Sequence, residues 1–204
     1  GALLRGTERE EGLDEDEFVW FFLMLIAAGN ESTRTVTSHG MRLLMDHPEQ
    51  LEYLVENPDK IPGACEEMLR YNTAFILMRR TAMEDVEVGG MQIKKGDKII
   101  MHYHTVNQDE EIFGEDAMAF DVRRAERMPD LYNQHRAFGI GQHFCLGTHL
   151  ARLEMRVMFE EIIPRLRHPK LVGPIEYTRS NRVTVSKRMH ITSNPEVNSG
   201  EQAP

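Results

Sequence analysis

The ten residues from Phe138 to Gly147 read Phe-Gly-Ile-Gly-Gln-His-Phe-Cys-Leu-Gly. From Leu146 onward the apolar residues Leu146, Leu150, Leu153 and Val157 recur at helical spacing, and the pattern continues through Ile162 and Leu166. Cys145 is therefore expected just ahead of a helix N-terminus, where unpaired N–H groups and the helix dipole favour a negatively charged sulfur. Gly139 and Gly141 permit backbone turns closed to other residues and leave room for a flat ligand to lie close. A lone thiolate presented in this way suits the axial bond to a haem iron. Taken by itself, a cysteine in a glycine-containing loop is more often buried and inert. The residues around it decide between the two.

At 204 residues the chain is long enough for a sizeable core, and its 41% apolar and 28% charged content is that of a globular protein. A net charge of −9 argues against a nucleic-acid or anionic-membrane surface. Cys65 and Cys145 are too far apart for a Cys-x-x-Cys motif, and two cysteines make no disulfide framework. A reducing, cytoplasmic location is the expectation. Residues 1–13 read as a polar leader without a signal-peptide pattern, and residues 193–204 as a tail.

Asp14 offers a helix cap, with Glu17 as its capping-box partner. Phe18 to Ala28 is an unbroken run of eleven apolar residues, too short for a bilayer, which needs about 20. A helix apolar all round is expected to be buried on every side. The pattern continues through Met41, Leu43, Leu44 and Met45 and stops before Pro48. That predicts one helix of about 33 residues, roughly 50 Å long. Its middle reads Ala28-Gly29-Asn30-Glu31-Ser32-Thr33. Glycine inside a helix costs about 1 kcal/mol against alanine, so some gain should offset it. Ser32 can bond back to the Ala28 carbonyl and loosen the turn. An acid and a hydroxyl beside a locally opened helix suit proton delivery, with packing alone as the alternative.

Pro48 and Pro62 open two shorter helices, through about Glu56 and Tyr71. In the second, Glu67 and Arg70 stand three apart on one side. Between Arg80 and Met101, Val86–Val88, Met91–Ile93 and Lys98–Met101 read as short strands, with Gly89-Gly90 as a hairpin turn. Residues 102–137 are turn-rich, with a helical fragment near Thr105 to Glu111 and a basic cluster of Arg123, Arg124 and Arg127 that reads as solvated. Beyond Pro169, Leu171-Val172, Ile175–Tyr177, Arg182–Ser186 and Met189–Thr192 look like short closing strands.

Phe138, Gly139, Gly141, His143, Cys145 and Gly147 each stand where the haem-binding signature of the cytochrome P-450 family expects them. Over about residues 14–192 the chain resembles the C-terminal portion of a single domain of that family, closest to soluble bacterial members. The implied fold is mainly α with small β-sheets: long central helix, ExxR helix, cysteine loop and following helix. The resemblance implies heme b (iron protoporphyrin IX), with Cys145 as the metal ligand and Phe138, Gly139 and Gly147 around the cofactor. It further implies that Arg80 and His143 bind the propionates. Glu31 and Ser32 match the acid and alcohol that deliver protons, with serine in place of the usual threonine. Glu67, Arg70 and Arg124 match a charged triad that pins the irregular stretch before Phe138. Ala28, Gly29, Ala74, Phe75, Ile76, Leu77 and Val183 match segments that line the substrate pocket.

The implied activity is insertion of one atom of dioxygen into a terpene, steroid or fatty chain. Electrons would come from NAD(P)H through ferredoxin reductase and ferredoxin. Arg152 and Arg156 could steer an acidic ferredoxin. Family members are about twice as long, so one side of the long apolar helix is expected to lie exposed. The chain then reads as part of a longer protein, or as one copy of an oligomer joined through that surface. The competing expectation is a catalytically inactive haem-binding or structural fragment. A peroxide-driven enzyme is disfavoured by the acid–alcohol pair.

Overall fold

Asp14 starts the longest element of the computed structural model, which describes residues 12–195. Its side chain accepts the Glu17 N–H at 2.8 Å, and the Glu17 carboxylate accepts the Asp14 N–H at 3.2 Å. With Glu15, Asp16 and Glu17 in its first turn, helix α1 (Glu15–Asp46) satisfies its own N-terminal donors and dipole. It stops at His47, just before the proline that opens α2 (Pro48–Glu56). A 3-10 turn, Pro58–Lys60, leads into α3 (Ile61–Tyr71).

The two halves of α1 differ. Thr35, Val36, His39, Gly40, Met41, Leu43 and Leu44 are buried, facing α3 and a later helix, α8 (Thr148–Ile162). The apolar run does not follow the expectation of burial on every side. Trp20 is 71% exposed, and Val19, Phe22, Leu23, Met24 and Ile26 are exposed with it. On α8, Leu150, Leu153 and Val157 form a second exposed apolar strip.

The core joins α1, α3 and α8 through Leu44, Ala64, Met68, Leu69, Met155, Phe159 and Ile163, all nearly inaccessible. Gly40 makes that junction fit. A Cβ there would sit 2.6 Å from Met68 Sδ and 2.8 Å from Phe159 Cζ.

Among the described residues four small antiparallel sheets flank the helices. β1 (Leu77–Thr81) pairs with β4 (Lys98–His102), and β2 (Val86–Val88) pairs with β3 (Met91–Ile93). Between β2 and β3, Gly89 and Gly90 take φ of 58° and 77°, the left-handed pair that a tight hairpin turn requires. β5 (Leu166–Leu171) pairs with β8 (Ile191–Pro195), and β6 (Glu176–Tyr177) with β7 (Ser186–Arg188).

Several boundaries depart from the sequence reading. Helix α8 ends at Ile162, and Leu166 opens β5 opposite Pro195, so pairing overrides the continued apolar period. The same pairing carries ordered strand to Pro195, inside the stretch read as tail. In the 182–186 segment only Ser186 enters a strand, and Val183 makes an isolated bridge to Phe75. The helical fragment near Thr105 is two pieces, α4 (Tyr103–Val106) and α5 (Glu110–Phe113). Two more single turns follow, α6 (Arg124–Arg127) and α7 (Leu131–Gln134). Positions 1–11 of the leader and 196–204 of the tail lie outside the described residues. Among the described residues no helix is long and apolar enough to cross a membrane.

Gly40→Ala should lower stability by about 1–3 kcal/mol, the cost of overpacking a filled core. Gly29→Ala, whose Cβ meets nothing within 4 Å, should instead raise stability by up to about 1 kcal/mol. Denaturant midpoints of the two variants check this. Equal midpoints would show that α1 does not meet α3 and α8 at Gly40.

Candidate functional site

The loop that carries Cys145 is closed by its own backbone. The Cys145 N–H donates to the Phe138 carbonyl at 3.0 Å, and the Gly139 N–H to that of Arg136 at 2.9 Å. Gly141–His143 form a 3-10 turn, and the Phe144 N–H donates back to the Gly141 carbonyl. Gly139 and Gly141 take φ of 76° and 74°, a region that disfavours side chains. At Gly139 a Cβ would also press to 3.2 Å from the Tyr103 hydroxyl. Gly147 is the residue preceding α8.

Cys145 is a free, part-exposed thiol. Ile140, Phe144 and Leu146 around it are exposed, so the loop presents apolar side chains beside the sulfur. Among the described residues no group of three or more His, Cys, Asp or Glu side chains could hold a metal ion. A metal at Cys145 would thus find fewer than three such protein ligands and draw the rest from a larger group. His143 is exposed on the loop and Arg80 on β1, where its guanidinium donates to the Arg79 carbonyl at 3.1 Å. Neither forms an ion pair among the described residues, which leaves both free for an anionic group.

Behind the loop lies the charged triad. Glu67, Arg70 and Arg124 have no exposed side-chain surface. Arg70 donates to both Glu67 oxygens at 2.7 Å, and Arg124 Nε approaches Glu67 Oε2 at 3.1 Å. The arginines spend most of their other donors on backbone, and Arg124 also donates to the Asp116 carboxylate at 3.1 Å. Arg70 reaches the Asn107 and Ala117 carbonyls at 2.7 Å and that of Ala119 at 2.9 Å. Arg124 reaches those of Phe113, Asp116 and Ala119. Burial alone would raise the Asp116 pKa, but the hydrogen bond and charge of Arg124 outweigh it and hold the carboxyl below its ordinary range. Of the basic cluster Arg124 is therefore not solvated, whereas Arg123 and Arg127 are exposed but paired. Arg127 pairs with Asp116 and Asp121, and Arg123 lies 3.9 Å over the Tyr53 ring.

A second cluster, built on Glu66, is one that sequence reasoning missed. Its carboxylate accepts from Arg152 Nε at 2.8 Å and Nη2 at 2.9 Å, and Oε2 lies 2.8 Å from His135 Nε2. The partners stand 69 and 86 positions away, so no local spacing announced them. Burial pushes the Glu66 pKa up, and the bonds from His135 and Arg152 more than reverse this, leaving it below the ordinary value. Arg152 is thus not a docking cation: its side chain is 12% exposed and committed inward. Arg156 is exposed and pairs with Glu160 at 2.8 Å.

A pocket of about 420 Å³ opens beside α1. It brings together Ala28, Glu31, Ser32, Ala74, Phe75 and Val183 from the predicted set. The Ser32 hydroxyl donates to the Ala28 carbonyl at 2.7 Å, and Glu31 lies 3.9 Å from Arg34. Gly29, Ile76 and Leu77 lie outside the lining. Ile76 is held by backbone bonds with Arg182 and Tyr103, and Leu77 opens β1. The sequence reading missed Met24, Ala27, Thr35 and Ser180. Met24, Ala27, Ala28, Glu31, Ser32 and Thr35 repeat at three and four residues, so one helical face would have found the first three of those.

The family model for cytochrome P450 matches residues 2–187. Linalool 8-monooxygenase of Pseudomonas putida is 37% identical over 88% of the chain and 42% of its own length. Steroid C26-monooxygenase of Mycolicibacterium smegmatis is 40% identical over 83% of the chain and 38% of its own length. The crystal structure of CYP109E1 from Bacillus megaterium in complex with testosterone superposes with a TM-score of 0.85 at 32% identity, covering 94% of this chain and 52% of that one. The chain belongs to the cytochrome P450 family, and the fold is that family's. It spans less than half the length of these two curated relatives.

Glu67→Gln should destabilise the protein by about 3–5 kcal/mol, because it leaves the buried Arg70 guanidinium without an acid and Arg124 with Asp116 alone. Asp85→Asn, at an exposed pair with Lys94, should shift the unfolding midpoint hardly at all. If the two variants unfolded together, the triad would not be what holds the loops.

Proposed function

We propose that the protein carrying this chain is a haem-thiolate monooxygenase that inserts one atom of dioxygen into a C–H bond of an apolar substrate. One observation carries the reading: a free, part-exposed Cys145 thiol stands on a backbone-closed loop among exposed apolar side chains. Such a loop would hold the metal of a flat, largely apolar group through one sulfur. Cys145 would hold the iron of heme b, with Arg80 and His143 on the propionates and Phe138, Gly139 and Gly147 around the ring. When bound, the haem supplies dioxygen activation, and a thiolate ligand favours O–O cleavage.

The other roles fall to side chains of the pocket. The Ser32 hydroxyl gives its hydrogen to the Ala28 carbonyl, so its oxygen remains an acceptor toward water. Glu31, exposed and lining the same pocket, exchanges protons with solvent and passes them along that water. Ala28, Ala74, Phe75 and Val183 form apolar walls that exclude bulk water and hold the substrate. The volume lies within the usual range of about 300–1,000 Å³ for small-molecule sites. Relatives named for linalool and steroid oxidation favour a terpene, steroid or fatty chain. Electrons come from NAD(P)H through ferredoxin reductase and ferredoxin in the cytoplasm.

The reduced, carbon-monoxide-bound absorption spectrum of the purified protein tests this. The parent should show a thiolate-type band, and Cys145→Ala should lose it. Haem bound with the same band in both would remove Cys145 from the site.

A further inference from the structure

Glu66 is next to the triad acid, yet it serves a different part of the chain. Successive helical residues point about 100° apart, so α3 aims Glu67 at the stretch 107–124 and Glu66 at the cysteine loop. The Ala137 N–H donates to His135 Nδ1 at 3.3 Å. Nε2 therefore carries the hydrogen and donates it to Glu66. His135 stands three residues before the loop, and Arg152 five residues after it. The Arg152 guanidinium makes the bidentate pair with Glu66, donates to Thr148 Oγ1 at 2.6 Å and to the Tyr132 carbonyl at 3.1 Å. It also stacks 4.6 Å over the Phe138 ring. The Phe138 carbonyl is the acceptor for the Cys145 N–H.

We propose that Glu66 is a positioning residue for Cys145: one carboxylate clamps both ends of the sulfur-bearing loop to α3 and sets where the thiolate stands. The clamp acts through Arg152 and Phe138 on one side and through His135 on the other. The inference rests on the haem-thiolate reading. It adds that the geometry of the ligand is held by a residue that touches neither sulfur nor cofactor. A bidentate guanidinium–carboxylate pair suits this task because it fixes orientation as well as distance.

The test compares the parent holoprotein with Glu66→Gln, Arg152→Lys and the surface control Asp85→Asn. Two readouts are taken: haem affinity, and the fraction of the carbon-monoxide complex with the thiolate-type band. Loss of an outer partner of a metal ligand typically lowers metal affinity about 10–100-fold, so Glu66→Gln should fall in that range and lose part of the band. Asp85→Asn should match the parent. Arg152→Lys keeps the charge without the fork, so its values should lie between, and it serves should Glu66→Gln fail to fold. Parental affinity and band in both Glu66→Gln and Arg152→Lys would overturn the clamp. A parent without the thiolate-type band would instead overturn the haem-thiolate reading itself.

Discussion

Glu67 is the anion around which the irregular stretch 103–137 is folded. Residues 103–137 contain only single-turn helices, so their carbonyl groups cannot be paired by long ladders. Buried carbonyls without partners cost free energy. Arg70 and Arg124 supply the missing donors, reaching five carbonyls between Asn107 and Ala119. Each guanidinium is buried, and each would be intolerable without a charge beside it. Glu67 meets both, and Asp116 adds a second acid to Arg124. A buried ion network of this kind adds little net stability over an apolar core, but its geometry is demanding. Here that geometry is what brings the chain from α3 to the cysteine loop.

The two acids of α3 divide the work. Glu67 organises the approach, and Glu66 holds the loop's flanks at His135 and Arg152. Both sit on a helix whose own packing is fixed by Met68 and Leu69 against α1 and α8. Order thus passes from the apolar core to a short helix, then to two carboxylates, and finally to the turn that presents the sulfur. The pocket is organised separately, by one face of α1 and the strand-like segment around Val183.

Much of this was legible before any coordinates. The capping box at Asp14, the helices opened by Pro48 and Pro62, and the hairpin at Gly89-Gly90 depend on neighbours within four residues, and local rules read them. The Ser32 bond to Ala28 is equally local. What escaped depends on distant partners. Leu166 belongs to a strand because Pro195 lies opposite it. Arg152 looked like a surface cation because nothing near it in the chain is acidic on the right face, while Glu66 waits 86 positions away. The apolar run from Phe18 to Ala28 was read correctly as helix, but its exposure is decided by which elements lie beside it.

Everything proposed for this protein passes through the Cys145 sulfur. X-ray absorption fine structure at the iron edge of the holoprotein addresses it directly. The account predicts one sulfur scatterer bound to iron among lighter ligands, absent in Cys145→Ala. An iron coordinated only by nitrogen and oxygen in the parent would contradict it.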